Sequence, residues 1–346
     1  MIEKIKLTNF RLFDSVNYNT NNSLIIFSGK NATGKTSILE AIYLCATTKS
    51  HRSNDLKALI KSDKDFSISE ITANKKYKVV VSKVGKSYFV NNQEIKQVKD
   101  FIGNLMVVMS SPDDLMIVKG TKADRRHFLD LNISMFDKNY LSASYAYKKL
   151  LKERNEALKQ QKIDKTFLEI ITNELISYLK VINKARNEFI DKLNINLKEI
   201  AEKLKIEEIK LNYLPTYDVD IKKSFIKYEN QDINTKSTNI GTHRDDFEVL
   251  INNLDSSVYA SEGQIKIICI AIKLALKKLI TDITNREPIL LLDDVFATLD
   301  KTRISSLTEY VINCKQAFIT TTSILEIPDE ILKNALVLRI ENKEEK

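Results

Sequence analysis

Residues 29–36 read GKNATGKT, a Gly-x-x-x-x-Gly-Lys-Thr run that follows the apolar stretch SLIIFS and opens a helical stretch. The residue types suit the holding of phosphate. Gly29 and Gly34 let the backbone curl, so that the N–H groups of Gly29, Lys30, Asn31, Ala32, Thr33 and Gly34 can turn inward toward phosphate oxygens. A helix N-terminus at Lys35 adds partial positive charge. Lys35 is placed to neutralise β- and γ-phosphates, and Thr36 to offer a hydroxyl to Mg²⁺. A second chemical run, PILLLDDVFATLD at 288–300, ends an apolar strand in two acids, Asp293 and Asp294. Carboxylates at the end of a buried strand are costly unless they hold a cation or share a proton. Beside a phosphate loop, the expectation is that Asp293 holds Mg²⁺ through water and Asp294 polarises an attacking water. A third run is SEGQ at 261–264. Ser261, the N–H groups around Gly263, and Gln264 would form an anion site at another helix N-terminus.

Ser-x-Gly-Gln alone is a weak signal. Here it follows a phosphate loop and precedes a double-acid strand by about 25 residues, and that order is specific. The three together resemble ABC-type ATPases. In those proteins the signature segment closes over the γ-phosphate held by a partner subunit, which implies a two-fold dimer with two ATPs at its interface. Asp300, six residues past Asp294, would lie on a loop crossing to the second subunit. The expected catalytic set is therefore Asp294, Lys35 and Ser261, with ATP and Mg²⁺ as cofactors.

The elements that must position these residues read as α/β. IEKIKLTNF, SLIIFS, SISEITAN, KYKVVVSK, KSYFVNN and LMVVMS read as strands, with a helix over 35–47 between the second and third. From Thr121 to about Ile206 the pattern is long, helical and rich in Lys and Glu, opened by a Thr121/Asp124 capping box. Tyr140, Tyr147, Leu150, Leu151 and Leu158 recur at helical spacing and read as core. A strand near 247–251, a helix over 261–280 and the strands ILLLDD, QAFITTT and NALVLRI return to α/β, and the charged end ENKEEK is expected to fray. The division read from this is 1–120 as an ATPase lobe, 121–240 as a helical arm and 241–346 as the returning ATPase lobe. Only seven glycines occur, and four of them fall in segments argued to carry chemistry, as expected where backbone freedom is used sparingly.

Composition narrows the class. With 43% hydrophobic and 29% charged residues, a sizeable core is available and global disorder is excluded. MIEKIKLTNF has no apolar leader core, and no run of about 18 uncharged apolar residues occurs, so a cytoplasmic protein without a membrane partner is expected. Cys45, Cys269 and Cys314 have no metal or disulfide spacing and read as buried thiols. A net charge of +8 modestly favours an anionic partner.

The order KLTNFRLF, GKNATGKT, EAIYL, SHR, SSPDDLMIVKG, RRHFLD, GTHRDD, SEGQ and LLLDDVFATLD resembles the RecF family over nearly the whole chain. RRHFLD, GTHRDDF and the Asp-Asp-Val-Phe run are the discriminating parts. The resemblance implies an SMC-like ABC head with a helical arm and no long coiled coil. It implies ATP-dependent dimerisation on duplex, gapped or single-stranded DNA at junctions, and action with RecR and RecO to help load RecA, in DNA replication, repair, recombination and the SOS response. Ala32 stands where the family's loop usually carries a third glycine, and Ile265–Lys266 where Gln-Arg is more usual. Asp294 replaces the Glu of many ABC ATPases, one methylene shorter, from which slow, weak DNA-dependent hydrolysis acting as a timer is expected. TTT at 320–322 occupies the position of the transporters' switch histidine.

Candidate DNA contacts are His51 and Arg52 in the first lobe, and Arg125, Arg126, Lys148, Lys149, Lys152 and Arg154 on the helical block. Taken singly, each reads more readily as part of a solvated face of a lysine-rich protein. Lys266, Lys273 and Lys277 share one face of the signature helix and read as solvated or inter-lobe. A nuclease-linked ABC ATPase would need a further acidic metal domain, for which the chain has no room. A transporter subunit would carry a switch histidine. A non-catalytic module would not need Lys35, Thr36, Asp293, Asp294 and Ser261 together.

Overall fold

Five apolar runs stack side by side into a wholly parallel sheet, in the order Ala335–Arg339, Leu24–Ser28, Ala317–Thr321, Ile289–Asp293 and Val107–Ser110. All but the edge strand Ala335–Arg339 are buried along their whole length. Unbroken apolar sequence is what a strand covered on both faces requires. The computed structural model describes residues 1–341, so of ENKEEK only Glu341 is described and the fraying expected there lies outside the described residues. No described helix is long and apolar enough to cross a membrane.

The second sheet is antiparallel and six-stranded, in the order Phe13–Asn19, Lys4–Phe10, Phe66–Thr72, Lys76–Ser82, Gly85–Val90 and Gln93–Glu94. Phe66–Thr72 and Lys76–Ser82 alternate buried and half-buried positions, the period-two pattern of a sheet with one covered face. The helix Lys35–Thr47 is buried at all but two of its positions. Its Ile38, Leu39 and Ile42 share one core with Ile5 and Leu7, Val79 and Val81 of the antiparallel sheet, and with Phe27, Leu291 and Phe318 of the parallel one. The phosphate-loop helix is thus fixed from both sides.

The chain divides into two compact units, Met1–Leu115 with Asn196–Glu207 and Ala260–Lys346, and Met116–Ile195 with Glu208–Tyr259. The second contains the helices Lys122–Ser134, Lys138–Leu158 and Ile221–Thr235, residues 165–195 of the long helix Lys165–Leu204, and a three-stranded antiparallel sheet. The expected arm at 121–240 therefore differs in extent: it runs on to Tyr259, and 196–207 belongs to the first unit. The cause is strand pairing. Asp246–Ile251 pairs with Ile209–Leu214, with Phe247 opposite Tyr213, which binds GTHRDD into the arm, and no local periodicity discloses a partner that far along the chain. The Thr121/Asp124 capping box forms. Tyr140, Tyr147, Leu150 and Leu158 are buried, Leu151 is half-buried, and Tyr145 is exposed. All three cysteines are buried and free. Of the lysine stripe of the helix Glu262–Thr284, Lys266 is half-buried, whereas Lys273 pairs with Asp114 at 2.7 Å and the buried Lys277 with Glu287 at 2.5 Å, so these two are not solvated.

Candidate functional site

The loop between Leu24–Ser28 and Lys35–Thr47 is held open by two glycines. At Gly34, φ is +99°, and a Cβ there would lie 2.6 Å from the Phe13 ring. At Gly29, a Cβ would meet the Ile340 carbonyl oxygen at 2.3 Å, because the Ile340 N–H donates to Ser28 O at 2.7 Å and brings that chain alongside. No other residue fits either position. Ala32 also has a left-handed φ, +64°, so the departure from a third glycine is carried as backbone strain of about 1–2 kcal/mol. The Lys35 ammonium is buried and donates to Gly29 O at 2.8 Å and Lys30 O at 2.9 Å. Thr33 donates to Lys30 O at 3.0 Å. Lys30, Asn31 and Ala32 are exposed.

The double acid meets this loop from the neighbouring strand. Thr36 Oγ1 donates to Asp293 Oδ1 at 2.9 Å, across 257 residues of sequence. Thr320, opposite Asp293 in the parallel ladder, donates to the same oxygen at 2.6 Å and accepts the Asp294 N–H at 3.0 Å. Burial pushes the Asp293 carboxyl above its ordinary range. The two hydroxyls pull it back, and the neighbouring Asp294 adds to the rise. Asp294 is turned out of the strand at a left-handed φ of +50°. Its Oδ1 is buried without a hydrogen-bond partner. Burial raises its carboxyl too, the Lys35 ammonium opposes this and Glu326 reinforces it. An orphaned, desolvated carboxylate oxygen beside a phosphate cradle is an acceptor waiting for a donor, the property needed to orient a water.

A cavity of about 480 Å³ opens over these residues, lined by Asn31, Ala32, Gly34, Lys35, Thr36 and Asp294, and by Arg11, Leu12, Arg52, Ala58 and Ile60. That volume is within the ~300–1,000 Å³ of small-molecule sites. The loop side is polar and suits phosphates, and the side lined by Leu12, Ala58 and Ile60 is apolar, a surface against which a flat ring could pack. For the divalent ion the fit rests on hard oxygen donors, Thr36 and Asp293 in contact. Among the described residues no cluster of three or more His, Cys, Asp or Glu is arranged for a metal, so such an ion would complete its shell with nucleotide oxygens and water.

Arg52, expected as a DNA contact, is placed on this cavity instead. Behind it lies the fully buried Glu40, which accepts from Arg11 Nε at 2.8 Å and from Ser50 at 2.5 Å, with Arg52 at 3.9 Å. His51 is not a surface group. Both its ring nitrogens are buried without partners, and burial pushes it down to about 4, so it is neutral. Sequence reasoning missed Arg11, Glu40 and Glu326, and placed Thr320 at the switch position without its bonds to Asp293 and Asp294. Thr320 had a signal, since a hydroxyl run at the end of a buried strand faces the acids of its parallel neighbour.

The signature segment stands apart from that cavity. Ser261 caps the helix Glu262–Thr284 in a reciprocal box: Ser261 Oγ accepts the Gln264 N–H at 3.2 Å, and Gln264 Oε1 accepts the Ser261 N–H at 2.9 Å. Gln264 is further held by Glu207. Ser261, Glu262 and Gly263 are exposed, and a Cβ on Gly263 would meet nothing within 4 Å. The serine hydroxyl keeps its own proton to donate outward. Asp300 caps the helix Lys301–Ile312.

The remaining cationic candidates separate by partner. Arg154 is buried and donates to Thr172, Asp232 and Thr238 at 2.7–2.8 Å, so it is an interior residue. Arg125 forms a two-pronged pair with Asp246 at 2.7 and 2.9 Å, and Arg126 donates to the Asp245 carbonyl at 2.9 Å. Lys148, Lys149 and Lys152 are exposed.

Comparison with known proteins agrees with this geometry. A family model described as an AAA domain matches residues 4–252. The chain is 40% identical over 328 residues to the DNA replication and repair protein RecF of Acholeplasma laidlawii, covering 93% of each. It is 37% identical over 355 residues to that of Clostridium perfringens, covering 99% of this chain and 98% of the relative. Among solved structures it is similar to the recombination mediator RecF–ATPrS of the RecFOR pathway, with TM-score 0.86, 29% identity and coverage of 99% and 96%. The RecF–ATP structure gives TM-score 0.87 and 31% identity, covering 93% of each chain. The Smc head domain of Pyrococcus furiosus, at 16% identity and TM-score 0.55 over 98% of this chain and 94% of that one, shares the fold. The architecture is that of an ABC-type, SMC-like ATPase head with an inserted subdomain.

Proposed function

The chain belongs to the RecF family of DNA replication and repair proteins, and on that premise we propose that it is an ATP-operated recombination mediator that clamps DNA as a dimer. The observation that carries the reading is the contact of Thr36 with Asp293 beside one cavity that Lys35, Thr36 and Asp294 line together, two sequence-distant pieces of one phosphate chemistry. The backbone N–H groups of residues 29–34 and the Lys35 ammonium bind the phosphates. Mg²⁺, held by Thr36 and Asp293, would supply charge neutralisation at the terminal phosphates. Asp294 orients water with its orphaned oxygen and accepts a proton. Its short, desolvated carboxylate supports slow turnover, a timer rather than a motor.

Ser261, lacking a place in its own subunit's cavity and exposed at a helix N-terminus, serves a partner's γ-phosphate, so nucleotide joins two copies. DNA binds chiefly through phosphates, with Lys148, Lys149, Lys152 and the exposed part of Arg126 as contacts. The site of action is a gap or single-strand/duplex junction in the cytoplasm, with RecO and RecR as partners in loading RecA; the family relationship supports this part.

The test is sedimentation and duplex binding by the full chain and Lys35→Met, with and without ATP and Mg²⁺, across a salt series. Dimerisation and tighter DNA binding with ATP in the unsubstituted chain alone support the clamp. ATP binding with no DNA affinity in any state removes the DNA role.

A further inference from the structure

The GTHRDD segment does not line the phosphate-loop cavity. It walls a second cavity, about 220 Å³, contained within the 116–195 and 208–259 unit and lined in part by Arg126, Asp130, Tyr147, Lys148, Arg186 and His243. Its wall is built. Gly241 takes φ +122°, where a Cβ would lie 2.3 Å from the Tyr147 hydroxyl. His243 Nε2 lies 3.0 Å from the Thr238 carbonyl, so it carries the proton, and Nδ1 then accepts from Tyr147 Oη at 2.8 Å. Burial pushes this imidazole down to about 4. His243 is therefore a neutral, locked wall.

The floor is Arg186, only 4% exposed, which donates to Tyr140 Oη at 3.0 Å, Thr242 O at 2.8 Å and Asp130 Oδ1 at 2.8 Å. Of the lining residues, Arg126, Lys148 and Arg186 outnumber the one lining carboxylate, Asp130, while Asp245, 3.9 Å from Arg186 Nη1, and Asp246 partly offset their charge from behind. Asp130 already accepts from Tyr140 at 2.6 Å and from Arg186. Asp245, behind the wall, takes the hydroxyls of Tyr213 and Tyr217 at 2.6 and 3.1 Å and the Thr216 N–H at 2.8 Å. Arg126 uses one donor on the Asp245 carbonyl and has five in all. Burial and the charge of Arg186 both weigh against the Arg126 guanidinium. Arg186 spends four of its five donors, the fourth on Tyr213 Oη at 3.4 Å, so the donors left over are those of Arg126, beside the Lys148 ammonium, and a guanidinium with spare donors suits a tetrahedral oxyanion.

We propose that this cavity is a phosphate subsite of the arm, taking one phosphate group of a nucleic-acid strand. Its size is in keeping with that class. At ~30 Å³ per water it holds about seven waters, room for a phosphate and its hydration but below the ~300 Å³ at which drug-sized ligands begin. The inference rests on the DNA-binding reading above and gives it an address. The phosphate has three possible sources: an internal diester, a 5′-terminal monoester, or free inorganic phosphate.

The experiment uses the full chain with ATP and Mg²⁺, and anisotropy across a salt series on 5′-phosphorylated, 5′-hydroxyl and covalently closed duplexes. The variants are Arg126→Gln, Arg126→Lys and Lys148→Gln, with the exposed Lys223→Gln as control. In parallel, Lys35→Met chains with and without Arg126→Gln are melted in inorganic phosphate against chloride at equal ionic strength. Expected are a five- to tenfold loss of affinity in Arg126→Gln and Lys148→Gln, a salt slope shallower by about 0.9, partial rescue by lysine at 126, and unchanged melting. An equal loss on all three duplexes identifies an internal diester; a loss confined to the 5′-phosphorylated duplex identifies the terminus. Phosphate should raise the melting temperature of Lys35→Met only while Arg126 is present. Unchanged affinity and slope in the Lys148→Gln and Arg126→Gln chains, with equal phosphate stabilisation in both melted chains, overturn the subsite. If the unsubstituted chain binds no DNA, the clamp reading fails by itself. The melting arm then decides alone: phosphate stabilisation dependent on Arg126 retains the subsite, and its absence removes it.

Discussion

Replacing Arg154 with methionine should damage the arm's stability and leave its DNA affinity alone. The guanidinium is 1% exposed and its partner Asp232 is wholly buried. Arg154 donates to Thr172, Asp232 and Thr238 and lies over the Phe225 ring at 5.5 Å. Asp232 keeps the two donors of Asn239 on Oδ1, but Oδ2 would face a methionine. Removing one partner of a buried pair typically costs about 3–5 kcal/mol, most of it the stranded charge. At ~3–5 °C per kcal/mol for a unit between the 60–100- and 150–250-residue classes, the arm's transition should fall by roughly 10–20 °C. The assay is thermal unfolding by circular dichroism, with duplex affinity measured well below the transition. The double variant Arg154→Met/Asp232→Leu should recover a large share of the loss, since an apolar pair leaves no uncompensated charge. A drop below about 1 kcal/mol with DNA affinity lost would refute the reasoning and return Arg154 to the surface contacts.

Ala32→Gly should relieve about 1–2 kcal/mol of left-handed strain against ~0.4–1 kcal/mol of added unfolded-chain entropy, so the chain melts slightly higher and ATP binds a few-fold tighter in titration calorimetry; weaker binding would oppose this. Because burial and Glu326 both raise Asp294, hydrolysis should fall on the acid side at a pH above the ordinary carboxylate range. Glu326→Gln removes a like charge and should move that limb to lower pH in a kcat–pH profile, whereas an unmoved limb excludes Asp294 as the titrating group. Ser261→Ala should keep filter-binding affinity for ATP, lose ATP-dependent dimerisation in sedimentation, and cost about 0.5–2 kcal/mol through the lost cap; retained dimerisation contradicts a trans role.

The nucleotide side of the molecule was legible because its motifs encode backbone geometry. A glycine at φ +99° or a hydroxyl capping a helix is a local requirement, and local requirements are written in adjacent residues. The arm was less legible. Lys148, Lys149, Lys152 and Arg154 differ by a few residues on one helix, and helical spacing cannot tell which finds a buried carboxylate 78 positions later. Lys273 and Lys277 look like a wet stripe until Asp114 and Glu287 arrive from elsewhere. The boundary near 240 failed for the same reason, since GTHRDD is fixed by a strand pairing that begins at 209.

The parallel sheet has a consequence for how the protein is born. The strand that carries the phosphate loop, Leu24–Ser28, sits between Ala317–Thr321 and Ala335–Arg339, and the loop's first glycine donates to Thr321 O while the Ile340 N–H returns to Ser28 O. Both neighbours of the loop strand thus leave the ribosome about 300 residues after it, roughly 15–60 s later at ~5–20 residues per second. A nascent chain carries the full GKNATGKT sequence during that interval without the walls that give it shape. Nucleotide competence would then mark completion: prematurely terminated chains should be inert toward ATP, and so unable to enter the proposed clamp.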